Sequence, residues 1–298
     1  MNSIHAESYL IVGVNGRFGT IFAKKLAHAG ASVSGMDLHA APTAASLCRA
    51  YIHSSVADMD AAAERAIAAA DCVLLCVPEE VVLAALPHLC RVMRNDALLI
   101  DIASVKSRIS AAFAGIKTEI GYSSIHPMFG PMEDFSGRAV CVVPLRENPR
   151  AQRLTALIES WGAQIKALTA QQHDAATAMV QALPHAALIA FGATLAHSEV
   201  SFDLMWSVAT PVQKLMLALV ARVVSGEHET YWSIQTANPY AAQAREALAL
   251  QLKSLSQAVA ERDSDGFTTI LDALRSYLTA SEAELTKLAA ECVAVAKD

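Results

Sequence analysis

Tyr9-Leu10-Ile11-Val12-Gly13-Val14-Asn15-Gly16-Arg17-Phe18-Gly19 is a short apolar run closed by a glycine cluster, and apolar residues recur at helical spacing from Thr20 to Ala29. That is strand, turn and helix. The turn has the pattern G-x-x-G-x-x-G, one residue longer in its first gap than the common dinucleotide fingerprint. Glycines there let the backbone turn tightly and approach a pyrophosphate at the helix N-terminus, where free N–H groups and the helix dipole favour an anion. A glycine turn alone often serves packing only. Here a second strand, Ala31 to Met36, ends at Asp37, where a carboxylate is placed to bind ribose hydroxyls. The expected cofactor contacts are Gly13, Asn15, Gly16, Arg17, Phe18, Gly19 and Asp37. No arginine closely follows Asp37, so NAD rather than NADP is the expected cofactor.

Outward from this unit the alternation continues. Asp71 to Val77 reads as a buried strand closed by Pro78, and Ala97 to Ile102 as another ending at Ala103-Ser104. Helical stretches such as Asp58 to Ala70 and Val81 to Met93 separate them, which implies a parallel, doubly wound α/β sheet with helices on both faces. Carboxyl strand ends are where such sheets bind ligands, so Val77, Pro78 and Ala103 join the cofactor contacts. Ser123 to Ile125, Ala139 to Val143 and Gln164 to Leu168 are further strands. Beyond Thr169 the pattern is helical almost throughout. The chain therefore divides into a Rossmann-like domain, 1–169, and an all-helical domain, 170–298.

Composition narrows the classes of function. The chain has 298 residues, a net charge of -6 and a hydrophobic fraction of 54%, much of it alanine. That balance gives no sign of a polyanion-binding face, and nucleic acid is not an expected partner. Met1 to Ser8 is polar, with no signal-peptide pattern, so a cytoplasmic protein is expected. Ala178 to Ala196 is long and apolar, but Gln181, Pro184 and His185 favour a helix buried between domains or subunits over a membrane span. Helices this apolar need cover, and a homodimer through the helical domain is expected. The six cysteines show no metal spacing; Cys72 and Cys76, in an apparent strand, stand roughly 13 Å apart. They read as buried thiols of a reduced compartment, and no metal is expected.

Three more segments carry a resemblance: Asp101-Ile102-Ala103-Ser104-Val105-Lys106, His126-Pro127-Met128-Phe129-Gly130-Pro131 and Gln181-Ala182-Leu183-Pro184-His185. In order and spacing, with His173-Asp174 between the last two, the chain resembles the prephenate dehydrogenase family over essentially its whole length. The resemblance implies NAD-dependent oxidative decarboxylation of prephenate or a close analogue to an aromatic 2-oxo acid. It assigns His126 as the base that accepts the C4 hydroxyl proton while hydride passes to the nicotinamide, and Ser104 as the residue that orients it. His185 matches a family histidine that contacts substrate, with Gln181 beside it.

The residues support this independently. Histidine is the natural base near neutral pH, and His126 and Ser104 both follow carboxyl strand ends, so the serine hydroxyl is placed to hydrogen-bond the imidazole. Lys106 reads as a structural cap or ion-pair partner. One departure stands out. The family usually carries an arginine in the helix after its Tyr-Trp segment to hold a substrate carboxylate, and this register places Tyr240 there. Arg245, Arg222 and Lys214 are the cations within reach in sequence, and one of them is expected to reach the pocket unless the substrate is a prephenate analogue; Tyr240 and Arg245 join the expected substrate contacts. Arogenate and 4-amino-4-deoxyprephenate are the corresponding variant substrates. A β-hydroxyacid dehydrogenase is the competing enzyme reading, disfavoured because no lysine lies between Gln171 and His197. A catalytically silent NAD-binding dimer is the alternative of another class.

Overall fold

The computed structural model describes residues 7–40 and 46–296; most of the polar segment Met1 to Ser8 lies outside them. The chain divides into two compact units, 1–176 and 177–298. The division falls slightly beyond the expected boundary at 169, because helix α6 (Ala170–Thr177) carries His173 and Asp174, whose buried hydrogen bonds belong to the first unit.

The first unit is an eight-stranded sheet in the order β3-β2-β1-β4-β5-β6-β7-β8. The strands are β1 (Ser8–Val12), β2 (Ser32–Asp37), β3 (Ala50–His53), β4 (Cys72–Leu75), β5 (Leu98–Asp101), β6 (Gly121–Pro127), β7 (Ala139–Arg146) and β8 (Gln164–Ala167). One core packs between one face and α1 (Arg17–His28) and α5 (Pro149–Ser160), through Phe22, Leu26, Leu154 and Ile158. The other face carries α2 (Ala61–Ala69), α3 (Glu79–Val92) and α4 (Ser107–Ala114), through Ile67, Leu86, Leu89, Ile109 and Phe113. The doubly wound reading of the sequence is therefore correct.

Two details differ from it. β7 runs antiparallel to β6, and β8 parallel to β7, so the sheet is mixed. The β6–β7 connection, 128–138, contains no helix and cannot make the crossover that a parallel pair requires. β3 was not legible: Ala50-Tyr51-Ile52-His53 is a short, half-exposed edge strand with no alternation.

Local sequence sets the start of α6. Thr169 Oγ1 accepts from Gln172 N at 3.2 Å, and Gln172 Oε1 accepts from Thr169 N at 3.0 Å. This reciprocal capping box starts α6 and sets its first turn.

The second unit is helical: a π-helical turn (Ala178–Ala182), α7 (Leu183–Ala196), α8 (Phe202–Ser207), α9 (Pro211–Val224), α10 (His228–Ala237), α11 (Ala241–Ala260), α12 (Ser264–Leu278) and α13 (Glu282–Val295). Pro184 supplies no N–H for the carbonyl four residues earlier, and π turns accommodate such a break. The stretch Ala170–Ala196 is long and apolar enough to cross a membrane by length and composition alone. No residue of α7 is buried within the single chain. Val208, Val212, Val224 and Trp232 are likewise exposed. Nor are all six thiols buried: Cys72 and Cys141 are, Cys48, Cys76 and Cys90 are intermediate, and Cys292 is exposed because it lies on one of the open faces of α13.

Candidate active site

The glycine turn is built as the sequence implies. Gly13 has φ +75°, and a Cβ there would fall 2.3 Å from the carbonyl oxygen of Cys76. A Cβ on Gly19 would lie 2.1 Å from the Gly13 oxygen. Both contacts are backbone and cannot yield, so only glycine lets β1, β4 and α1 converge there. Gly16 caps α1 without a side chain, and Arg17, its first residue, is exposed, so the N–H groups of the first turn are left for an anion. Phe18 packs edge-on against Phe129, with ring centroids 6.5 Å apart.

Asp37 stands at the end of β2. Its carboxylate accepts hydrogen bonds from Asn15 N at 3.0 Å and His39 N at 3.1 Å, which fixes its direction. Asn15 Nδ2 and the Tyr51 hydroxyl both donate to the His39 carbonyl oxygen. Asn15 Oδ1 is buried with no hydrogen-bond partner among the described residues. A side-chain-free cradle, an open helix N-terminus, a fixed carboxylate and an orphaned acceptor together fit a dinucleotide. Val77, Pro78 and Ala103 lie at the carboxyl ends of β4 and β5, on the same rim of the sheet.

The second constellation lies at the carboxyl end of β6. His126 is 4% exposed, and its Nδ1 lies 3.0 Å from Nε2 of His173. Nδ1 of His173 meets Asp174 Oδ1 at 2.8 Å. Asp174 also accepts from Lys106 N at 2.9 Å and Ser107 N at 2.8 Å, which ties α6 to the N-terminus of α4. The expected hydrogen bond from Ser104 is thus not the one at Nδ1. Ser104 is half-buried in the β5–α4 connection, and the partner at Nδ1 is His173. Sequence reading missed this because His126 and His173 are 47 residues apart; the signal was the His173-Asp174 pair, legible as a motif but not as a neighbour.

Lys106 is structural, as expected. It is fully buried, and its ammonium donates to the carbonyl oxygens of Ala103 at 2.6 Å and Ile125 at 2.8 Å and pairs with Asp101 at 3.4 Å. It therefore pins the backbone on either side of the site. Burial pushes the pKa of His126 well below the usual histidine range, with Lys106 and then His173 adding to the effect. At neutral pH His126 is uncharged, the form in which it accepts a proton. Nearby, Glu79 at the start of α3 is 7% exposed, with Oε1 unpartnered among the described residues. Burial raises its carboxyl to about 7, against the opposing pull of Arg108.

In the helical unit the ring of His185 meets that of Tyr231 edge-on, with centroids 4.8 Å apart. Its Nδ1 is buried and has no partner among the described residues. Burial first, then the Arg222 guanidinium, lowers its pKa. Gln181 lies in the π-helical turn. Arg245 does not stand open: it donates from Nη1 to the carbonyl and side-chain oxygens of Gln235, at 2.9 and 2.8 Å, and Gln235 in turn donates to the Ala182 carbonyl oxygen. Lys214 sits over the Trp206 ring at 5.5 Å. Tyr240 caps α11 through its backbone. Of the three cations considered, Arg222 is the one coupled to His185.

Comparison with known proteins places these units. Residues 22–169 match the nucleotide-binding domain of prephenate dehydrogenase, and residues 169–273 its dimerization domain. A 4-amino-4-deoxyprephenate dehydrogenase of Streptomyces pristinaespiralis is 37% identical over 94% of both chains. The T-protein of Enterobacter agglomerans is 31% identical over 76% of this chain, which spans 55% of that protein. The fold is shared with the prephenate dehydrogenase of A. aeolicus, solved with hydroxyphenyl propionate and NAD+ (TM-score 0.75, 20% identity, 92% of this chain and 97% of that one). It is shared too with an arogenate dehydrogenase of Synechocystis (TM-score 0.70, 19% identity, 90% and 98%). On sequence and fold together, the chain belongs to the prephenate dehydrogenase family.

Proposed function

We propose that the protein is an NAD-dependent dehydrogenase that oxidatively decarboxylates prephenate or a close analogue, with His126 as general base. The observation that carries this reading is a buried, uncharged histidine on the ligand-binding rim of a sheet whose glycine turn and Asp37 fit a dinucleotide. Bound there, NAD supplies the hydride acceptor. His126 takes the proton of the C4 substituent as carbonyl character develops at C4. Loss of the ring carboxylate as carbon dioxide then returns electrons to the ring, and the same nitrogen can return its proton to the aromatic product. Gly13, Asn15, Gly16, Arg17, Phe18, Gly19, Val77, Pro78 and Ala103 would surround the cofactor.

In the helical unit His185 and Arg222, with Gln181 nearby in sequence, are the groups offered for a substrate carboxylate. Tyr240 and Arg245 remain candidates, but Arg245 would first have to leave Gln235. A homodimer formed over the open faces of α7 and α9 would cover the apolar surface that the chain alone leaves in water. With that surface covered the enzyme would be soluble, and a cytoplasmic location is part of the same proposal.

A second reading, a substrate with an amine at C4, is favoured by the name of the 37%-identical relative, and it agrees with the register that the family resemblance implies, in which Tyr240 stands where an arginine is usual. The test is a panel of prephenate, arogenate and 4-amino-4-deoxyprephenate with NAD, following NADH. His126→Asn should lower kcat by about 10²- to 10⁴-fold on whichever substrate is used. Near-normal turnover in that variant removes His126 from the mechanism. A kcat/KM highest for the C4 amine selects the second reading.

A further inference from the structure

The hydrogen-bond chain behind His126 has a direction. Asp174 accepts three N–H bonds, from Lys106, Ser107 and His173, and a carboxylate that accepts on both oxygens has no proton to give. Burial opposes its charge, yet these bonds hold its carboxyl below the usual range. The proton between Asp174 and His173 therefore belongs to His173 Nδ1. With its one ring proton on Nδ1, His173 presents the lone pair of Nε2, and the proton of the 3.0 Å contact belongs to His126 Nδ1.

Resting on the reading of His126 as base, we propose that His173 and Asp174 are positioning residues that hold His126 in its Nδ1–H tautomer, so that Nε2 carries the lone pair that takes the substrate's proton. The opposite tautomer would turn an N–H toward the substrate and remove the base without moving an atom of the ring. The proton passes from the C4 substituent to Nε2 and back, while Nδ1–H stays in place, so no proton leaves along the chain and the overall reaction remains balanced.

The same chain offsets the charge that forms. An imidazolium at His126 would face the Lys106 ammonium, His173 and, across the β6–β7 pair, Cys141. Asp101 pairs with Lys106, and Asp174, anchored on the positive end of α4, is the anion that the imidazolium reaches through His173. The capping box at Thr169-Gln172 sets the turn of α6 on which both residues sit.

The experiment uses full-length, NAD-bound protein labelled with 15N-histidine. Long-range 1H–15N correlations report the tautomer of each ring directly, and His126→Asn assigns the His126 signals. The expected result is Nδ1–H at His126 in the wild type. In His173→Phe the His126 tautomer should become mixed, kcat should fall by about 10²-fold with KM less affected, and the acid limb of the kcat/KM profile should move. His173→Gln, whose side-chain oxygen can accept from His126 Nδ1, should recover part of the loss. A merely structural role would lower thermal stability and leave the tautomer and the acid limb unchanged.

Wild-type His126 found as Nε2–H overturns the proposal, and so does an unmoved acid limb in a folded His173→Phe. If His173→Phe does not fold, the wild-type tautomer decides. Failure of the base assignment is separate: His126→Asn would then keep its turnover, whatever tautomer the wild type shows.

Discussion

Replacing Glu79 with glutamine should stabilise the ligand-free enzyme above neutral pH and leave it nearly unchanged in acid. The carboxyl is 7% exposed, its Oε1 has no partner among the described residues, and burial raises its pKa from 4.5 to about 7. The folded state therefore holds more protons than the unfolded state between those values. Stability from this group is fully present below the unfolded pKa and is lost as pH rises through about 7. A shift of that size amounts to about 3 kcal/mol at 1.36 kcal/mol per unit. Arg108, 3.6 Å away and 44% exposed, opens one side of the site to solvent, so about 1–2 kcal/mol is the realistic gain. For a unit of this size that is a rise in Tm of roughly 2–8 °C at pH 8. The assay is thermal unfolding of Glu79→Gln and wild type from pH 4 to 9, read as a difference against pH. A difference that is flat in pH, or that grows toward acid, would refute the burial argument.

Gly19→Ala should weaken NAD binding at least tenfold by calorimetry and cost about 1–3 kcal/mol of stability, since the new methyl would press on the Gly13 and Val14 backbone. Lys106→Met should lose about 3–5 kcal/mol by leaving Asp101 and two carbonyl groups buried without their donor; chemical denaturation measures it. If that variant folds, the acid limb attributed to His126 should move to higher pH, because a repelling charge has gone. NADP should be used about 100-fold less efficiently than NAD, as Asp37 would face the 2′-phosphate with like charge; equal kcat/KM would mean that Asp37 does not bind the ribose. Light scattering at micromolar concentration should give the mass of two chains, and a monomer would leave the open face of α7 unexplained.

Much was determined locally and could be read from the sequence by itself. The apolar run at Tyr9, the glycines that follow and Asp37 specify a strand, a turn and a second strand end, because glycine tolerance and strand burial are properties of a few adjacent residues. The motif at His126 marked a carboxyl strand end for the same reason. What the sequence could not carry was set by long-range contact. The reversal of β7 depends on which edge of β6 is open and on how far the 128–138 connection can reach. The division at 176 follows from the buried partners of His173 and Asp174 rather than from any change in composition. Most plainly, the residue at His126 Nδ1 is His173, and Arg245 is held by Gln235. Hydrogen-bond partners are chosen by distance and direction in three dimensions, and sequence separation carries no information about either.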